Sequence, residues 1–235
     1  MIGLILAAGK GSRLGSQTAN TPKSLLSLTE NKTLLDYNID ILEKLGITDI
    51  RIVTGFQADK IEDYTKNNEK ISYIYNPFWD KCNVLGSLYM ALPSIDDDFF
   101  FLHADTLVDI SVWEKLKDFQ GDMVLPYVKK KCGEEEMKVR LDVNGNLLEI
   151  TKEMDASIAD GEFLGIAKFL KGAVPYMIHS AQTLFKTGNL NFYMEAVVQK
   201  AIDESKDVKS FDIGDAKFIE VDFEEDYQNA RRIFG

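Results

Sequence analysis

The sequence predicts an α/β fold built on a mainly parallel sheet with helices on both faces, and three observations carry that prediction. From the start to Tyr75 the chain reads strand, loop, helix, strand, helix, strand. A fully apolar run, Phe99 to Leu102, ends in His103-Ala104-Asp105, so an acid follows a buried strand where open α/β sheets bind their ligands. Asn144-Gly145 lies between two alternating runs and signals a hairpin, which adds an antiparallel ribbon.

Each element has its own reason. Gly3 to Ala7 is a short apolar strand, and Gly9, Gly11 and Gly15 then open a loop of small residues. Thr33 caps a helix whose Leu34, Leu35, Leu42 and Leu45 recur at helical spacing, with Gly46 as its stop. Ile50 to Thr54 is β-branched and extended, Gln57 to Lys66 is a polar helix, and Ile71 to Tyr75 is a strand. Asn76-Pro77 turns the chain, and Asn83 caps the helix carrying Ser87 to Leu92. Val124 to Val128 is a further strand, and the charged run KKKCGEEE after it reads as a solvated loop. Met137 to Val143 and Leu147 to Thr151 flank the hairpin turn, which the Asn-Gly pair predicts to be type I′. Ala173 to Phe185 is an amphipathic helix, Phe192 to Ala196 opens another, and Phe218 to Val221 is a strand leading to Asp222.

Composition bounds the function. At 235 residues with no linker or repeat, the chain reads as one domain, 1–235. No signal peptide or membrane span is expected, because the opening apolar run is short and no basic region precedes it. Cys82 and Cys132 show no metal or redox spacing, which fits a reducing, cytoplasmic setting, with a disulfide between them left open. A net charge of −11 argues against long nucleic acids, which need a broad basic face. The oligomeric state is open, a homodimer included.

Against that charge, the first acidic residue is Glu30, so Lys10, Arg13 and Lys23 make the opening stretch locally basic. Small residues let backbone N–H groups approach an anion, and the combination reads either as a polyphosphate cradle or as a tight turn with surface cations. It is not the dinucleotide fingerprint, since Leu14 stands where that pattern needs glycine, and it lacks the G-K-[ST] of the P-loop.

The run LAAGKGSRL followed by Pro22-Lys23 resembles the opening motif of the sugar-phosphate and choline-phosphate nucleotidyltransferases. That resemblance implies a Rossmann-like, glycosyltransferase-A-like fold, with a nucleotide-binding half, 1–120, and an acceptor-binding half, 121–235. It assigns Leu6, Ala7, Ala8, Gly9, Lys10, Gly11, Ser12 and Arg13 to the nucleotide triphosphate, and makes Lys23 and Arg13 catalytic. Asn83 and Ser87 in NPFWDKCNVLGS are similar to the base- and ribose-binding segment of cytidylyltransferases acting on phosphocholine or aminoethylphosphonate; otherwise they are a helix cap beside a packed aromatic. Asp105, and Asp222 at the start of a strand-Asp-x-x-x-Asp stretch, correspond to Mg²⁺ ligands, with Ala104 where many members have glycine. Glu162, Tyr193 and Glu195 match acceptor-binding positions, an aromatic ring and a carboxylate suiting a cationic end, with Glu162 otherwise simply the start of a strand; Trp79 and Trp113 are further candidate walls. His103 reads as a packed or surface imidazole.

The resemblance therefore implies a Mg²⁺-dependent cytidylyltransferase using CTP and a small phosphate or phosphonate acceptor. A sugar-1-phosphate nucleotidyltransferase using UTP, dTTP or GTP is the alternative within the class. A nucleotide-binding regulator without turnover is the alternative outside it, disfavoured by the joint presence of Lys23, Asp105 and Asp222.

Overall fold

The computed structural model describes residues 1–235. In its first half, strands β1 (Ile2–Leu6), β2 (Ser27–Thr29) and β3 (Lys32–Thr33) precede helix α1 (Leu34–Lys44). Then come β4 (Asp49–Thr54), α2 (Ala58–Thr65), β5 (Ile71–Tyr75), α3 (Val84–Ala91), β6 (Phe99–His103), β7 (Thr106–Val108) and α4 (Ile110–Asp118). The second half holds β8 (Met123–Val128), β9 (Lys138–Leu141), β10 (Leu147–Thr151), β11 (Gly161–Phe163), β12 (Ile166–Phe169), α5 (Val174–Phe185) and α6 (Glu195–Asp203). It closes with β13 (Val208–Asp212), β14 (Phe218–Glu220) and α7 (Glu224–Phe234). No helix is long and apolar enough to cross a membrane.

Ten strands form one sheet in the order β10-β9-β11-β8-β12-β6-β1-β4-β5, with β13 pairing in parallel to β8. The strands β6, β1, β4 and β5 run parallel, in register Ile2 with Asp49 and with Phe99. Period-two alternation divides their side chains between two cores. Ile2, Leu4, Phe99 and Phe101 pack beneath α3, α5 and α6 through Leu88, Met177 and Val198. Ile5, Ile52, Phe100 and Leu102 pack beneath α1, α2 and α4 through Leu42, Ile61 and Trp113. Helices thus cover both faces, and Thr33 caps α1 as its sequence implies, taking the Asp36 N–H at 3.1 Å while Asp36 takes the Thr33 N–H at 2.7 Å.

The antiparallel part is wider than a ribbon. It includes β12, β8, β11, β9 and β10, and the expected hairpin β9–β10 is only its outer edge. The hairpin turn itself corrects the type I′ expectation: Gly145 is left-handed at φ 81°, whereas Asn144 is not. The Asp142 carboxylate instead accepts the N–H groups of Asn144 (2.8 Å) and Asn146 (2.9 Å), closing a longer loop. Strand β14 is the expected strand before Asp222, whereas helix α4, strand β13 and β14's antiparallel partner β7 had no counterpart in the sequence reading; a three-residue strand such as β7 is too short for periodicity to register.

Candidate active site

The carboxyl ends of β1 and β6 meet at Lys23. Beyond β1, Gly11 adopts φ 64°, and a Cβ there would stand 2.9 Å from the Cβ of Lys23, so the turn admits the lysine only because position 11 has no side chain. The Thr18 hydroxyl donates to the Gly11 carbonyl at 2.8 Å and holds the turn closed. Lys23 is 8% exposed, and its Nζ donates to Asp105 Oδ2 at 2.7 Å and Asp222 Oδ1 at 2.8 Å. Burial works against the lysine charge, but the two carboxylates outweigh it and hold the pKa above the ordinary lysine value. Burial would likewise raise Asp105, yet Lys23 and His103 keep it below the usual carboxylate range.

Two acids far apart in sequence converge because β7 and β14 pair antiparallel, Thr106 opposite Glu220, and the Val221 N–H donates to the Asp105 carbonyl at 3.0 Å. Asp226 accepts the N–H groups of Asp222 and Phe223, fixing the turn into α7. Ala104 is accommodated without a left-handed backbone, and its carbonyl accepts the Asn38 amide at 3.3 Å. The second oxygen of Asp222 takes Arg13 at 2.8 Å, and Arg13 also reaches Glu135 at 3.0 Å. Glu135 belongs to KKKCGEEE, so this run is not merely solvated: it returns to the cleft.

His103 is a packed imidazole, edge-on to Phe101 with ring centres 5.2 Å apart, and it also faces the cleft. Its Nδ1 lies 3.7 Å from Glu220 Oε1, and Nε2 has no protein partner. Burial opposes its charge, but Glu220, Asp105 and Glu195 push its pKa up to about 9. His103, Asp105 and Glu220 hold candidate ligand atoms within 4.8 Å of one another. Glu220 was missed by sequence reasoning, although its position two residues before Asp222 puts both on one face of an extended chain. Two aspartate oxygens directed at one ammonium form an all-oxygen, cation-seeking pair, a donor set that suits a hard divalent ion such as Mg²⁺.

Leu6, Ala8, Gly9 and Arg13 line the main cleft, while Ala7 and Gly11 line a small adjoining hollow with Lys23 and Asp105. Lys10 lies outside both, its ammonium 5.7 Å from the Phe56 ring centre, and Ser12 is exposed. Asn83 and Ser87 both line the cleft; Asn83 accepts the Val84 N–H at 2.9 Å, and the buried Asn76 donates to Ser87 at 3.0 Å. Trp79 joins them, edge-on to Phe56, whereas Trp113 is a core residue against Phe100. Cys82 and Cys132 are both free thiols.

At the other end of the cleft stand Met137, Lys152, Phe163, Tyr193 and Glu195. Tyr193 precedes α6 rather than lying on it, so it and Glu195 face one cavity despite a spacing that no helix would bring together. Glu162 is a correction: alternation along β11 gives the cleft Phe163, and the Glu162 carboxylate instead takes Lys130 at 2.9 Å. Strands β11 and β12 are joined by only Leu164 and Gly165, where Gly165 has φ 73° and a Cβ would come within 2.9 Å of His103 Nδ1.

A family model for the MobA-like NTP transferase domain matches residues 3–136, more than half of the chain. The chain belongs to this family of nucleotidyltransferases. The transferase is 26% identical to a CTP:phosphoglutamine cytidylyltransferase from Campylobacter jejuni, over 97% of this chain and 98% of that one. It is 34% identical to a choline-phosphate cytidylyltransferase from Streptococcus pneumoniae over 99 residues, spanning only 42% of each chain. A bifunctional protein GlmU from Methanocaldococcus jannaschii aligns at 29% identity over 73% of this chain and 40% of its own length. The solved structure of the CTP:phosphocholine cytidylyltransferase from S. pneumoniae superposes with a TM-score of 0.80 at 23% identity, covering 100% of this chain and 99% of that one, which establishes the fold. The range matched by the family model contains Lys23, Asp105 and Glu135 of this transferase, while Lys152, Tyr193, Glu195 and Asp222 lie beyond it.

Proposed function

We propose that this nucleotidyltransferase transfers CMP from CTP to a small phosphorylated acceptor and releases pyrophosphate, with Mg²⁺ as its cofactor. The observation that carries the reading is the Lys23 ammonium, seated behind the glycine turn and bridging Asp105 and Asp222. The end-to-end alignment with the Campylobacter enzyme supports CTP as donor, and phosphoglutamine-, phosphocholine- and aminopropylphosphonate-type acceptors follow from what the relatives are named for.

In the reaction an acceptor oxygen forms a bond to the α-phosphorus of CTP while the bond to the bridging oxygen breaks, and its electrons leave with pyrophosphate. Two anionic groups must be brought together, so the residues act by screening and alignment. Lys23 is held within reach of both acids and places a fixed positive charge where charge accumulates on the α-phosphate. Arg13, at the mouth of the turn, would exchange Glu135 or Asp222 for the departing pyrophosphate. Asn83 and Ser87 border the space for base and ribose. Asp105 and Asp222 would hold Mg²⁺, which when bound neutralises charge between the two phosphorus groups.

The test is pyrophosphate release from CTP, UTP, dTTP and GTP against phosphocholine, phosphoethanolamine, phosphoglutamine, aminoethylphosphonate and glucose 1-phosphate, with and without a chelator. CTP-dependent, chelator-sensitive release is expected. Release confined to UTP or dTTP with the sugar phosphate would favour the second reading, a sugar-1-phosphate nucleotidyltransferase, to which the GlmU alignment points.

A further inference from the structure

At the acceptor end of the cleft one cation is left over. Lys23 bridges two aspartates, Arg13 is paired with Asp222 and Glu135, and Lys130 holds Glu162 and Glu136. Lys152 lines the same cleft and forms no ion pair. Its ammonium lies 5.1 Å from the centre of the Tyr193 ring, so the aromatic face expected to receive a cationic acceptor already carries a cation. Beside it, Glu195 is 3% exposed, and its Oε2 has no hydrogen-bond partner. A buried carboxylate oxygen without a donor is rare in a finished structure and common where a ligand completes it.

The position of Lys152 is also built. The Lys138 side chain is 1% exposed, and its Nζ donates to the carbonyl oxygens of Lys152 (2.7 Å), Glu134 (3.0 Å) and Glu136 (3.3 Å). A buried ammonium thus braces the backbone of Lys152 against the loop that brings Glu135 to Arg13.

We propose that Lys152 is the residue that selects the acceptor, taking a carboxylate or carboxamide oxygen at the end remote from phosphorus while Glu195 accepts an N–H group beside it. This rests on the cytidylyltransferase reading above and narrows its acceptor to phosphorylated amino acids and their amides. A trimethylammonium group fits poorly: it has no N–H for Glu195 and meets like charge at the Tyr193 ring.

O-phosphoserine and O-phosphoethanolamine differ only by a carboxylate, which makes them a matched pair of probes. With saturating CTP, kcat/KM would be measured for both, and for phosphoglutamine and phosphocholine, in the wild type, Lys152→Met and Lys152→Arg. The wild type should prefer the acceptors bearing a carboxylate or carboxamide. Lys152→Met should shrink that preference by about 10- to 100-fold, chiefly through KM, the range expected for one charge-assisted hydrogen bond, and Lys152→Arg should restore most of it. A wild type that prefers phosphocholine or phosphoethanolamine, or a Lys152→Met loss equal on all acceptors, would overturn the assignment and leave the cytidylyltransferase reading standing. Absence of pyrophosphate release with every acceptor would overturn both.

Discussion

The two ends of the cleft are built on opposite plans. At the nucleotide end the charges are already matched within the protein: Lys23 is buried and engaged by Asp105 and Asp222, and Arg13 by Asp222 and Glu135. At the acceptor end Lys152 has no carboxylate partner and Glu195 keeps one oxygen unmatched. The supports differ as well, since Lys23 follows the parallel strand β1, whereas Lys152 follows the antiparallel strand β10, Tyr193 lies in the loop before α6 and Glu195 opens that helix. A self-matched end stays in place whatever substrate arrives, while an end with open valences is completed by the right one. On the proposed reading, reaction type and substrate choice are divided between these two structural regions.

That division can be broken most directly at Lys23. Lys23→Ala should lower turnover on the order of 100-fold, about 3 kcal/mol of lost charge stabilisation, measured as steady-state pyrophosphate release. Turnover near the wild-type value would remove the lysine from the chemistry. Next in size is Lys138→Met, which strips three carbonyl groups of their ammonium donor; a loss of about 2 kcal/mol of stability is expected in denaturant melts. Because the brace serves the acceptor end, its KM for acceptor should rise while its KM for CTP holds, and an equal rise in both would erase the distinction between the ends. Gly165→Ala probes the junction. Its φ of 73° and the nearness of His103 Nδ1 predict a cost of about 1–2 kcal/mol, read as a lowered thermal midpoint. Tyr193→Leu should have the smallest effect, about 0.5–1 kcal/mol from the lost ring beneath Lys152, seen as a few-fold change in acceptor KM alone.

How much of this was legible in the sequence follows the same line. The parallel strands and helices α1 to α3 could be read within a residue or two, because Phe99–His103 and Ile71–Tyr75 are local apolar signals and Thr33 carries its own cap, whereas α4 was not read. Lys23, Asp105 and Asp222 could be paired only through resemblance, since nothing local brings such distant residues to one point. Where the reading failed, the cause was tertiary. Glu162 was placed through resemblance rather than by which face of β11 it occupies, and Trp113 by ring size rather than burial. Lys152, Glu135, His103 and Glu220 sit in no motif; only the assembled cleft gives them neighbours.

The lysine and its second acid are separated by 199 residues, and the segment around that acid also latches onto the opening stretch of the chain, through Gln17 with Glu224 and through the Tyr227 hydroxyl on the Ser27 carbonyl of β2, 2.8 Å away. During synthesis the main sheet has all ten of its strands before Phe218 appears. On the proposed reading, the architecture of the main sheet therefore does not depend on the segment carrying Asp222, and the site is completed only when that later segment docks onto it.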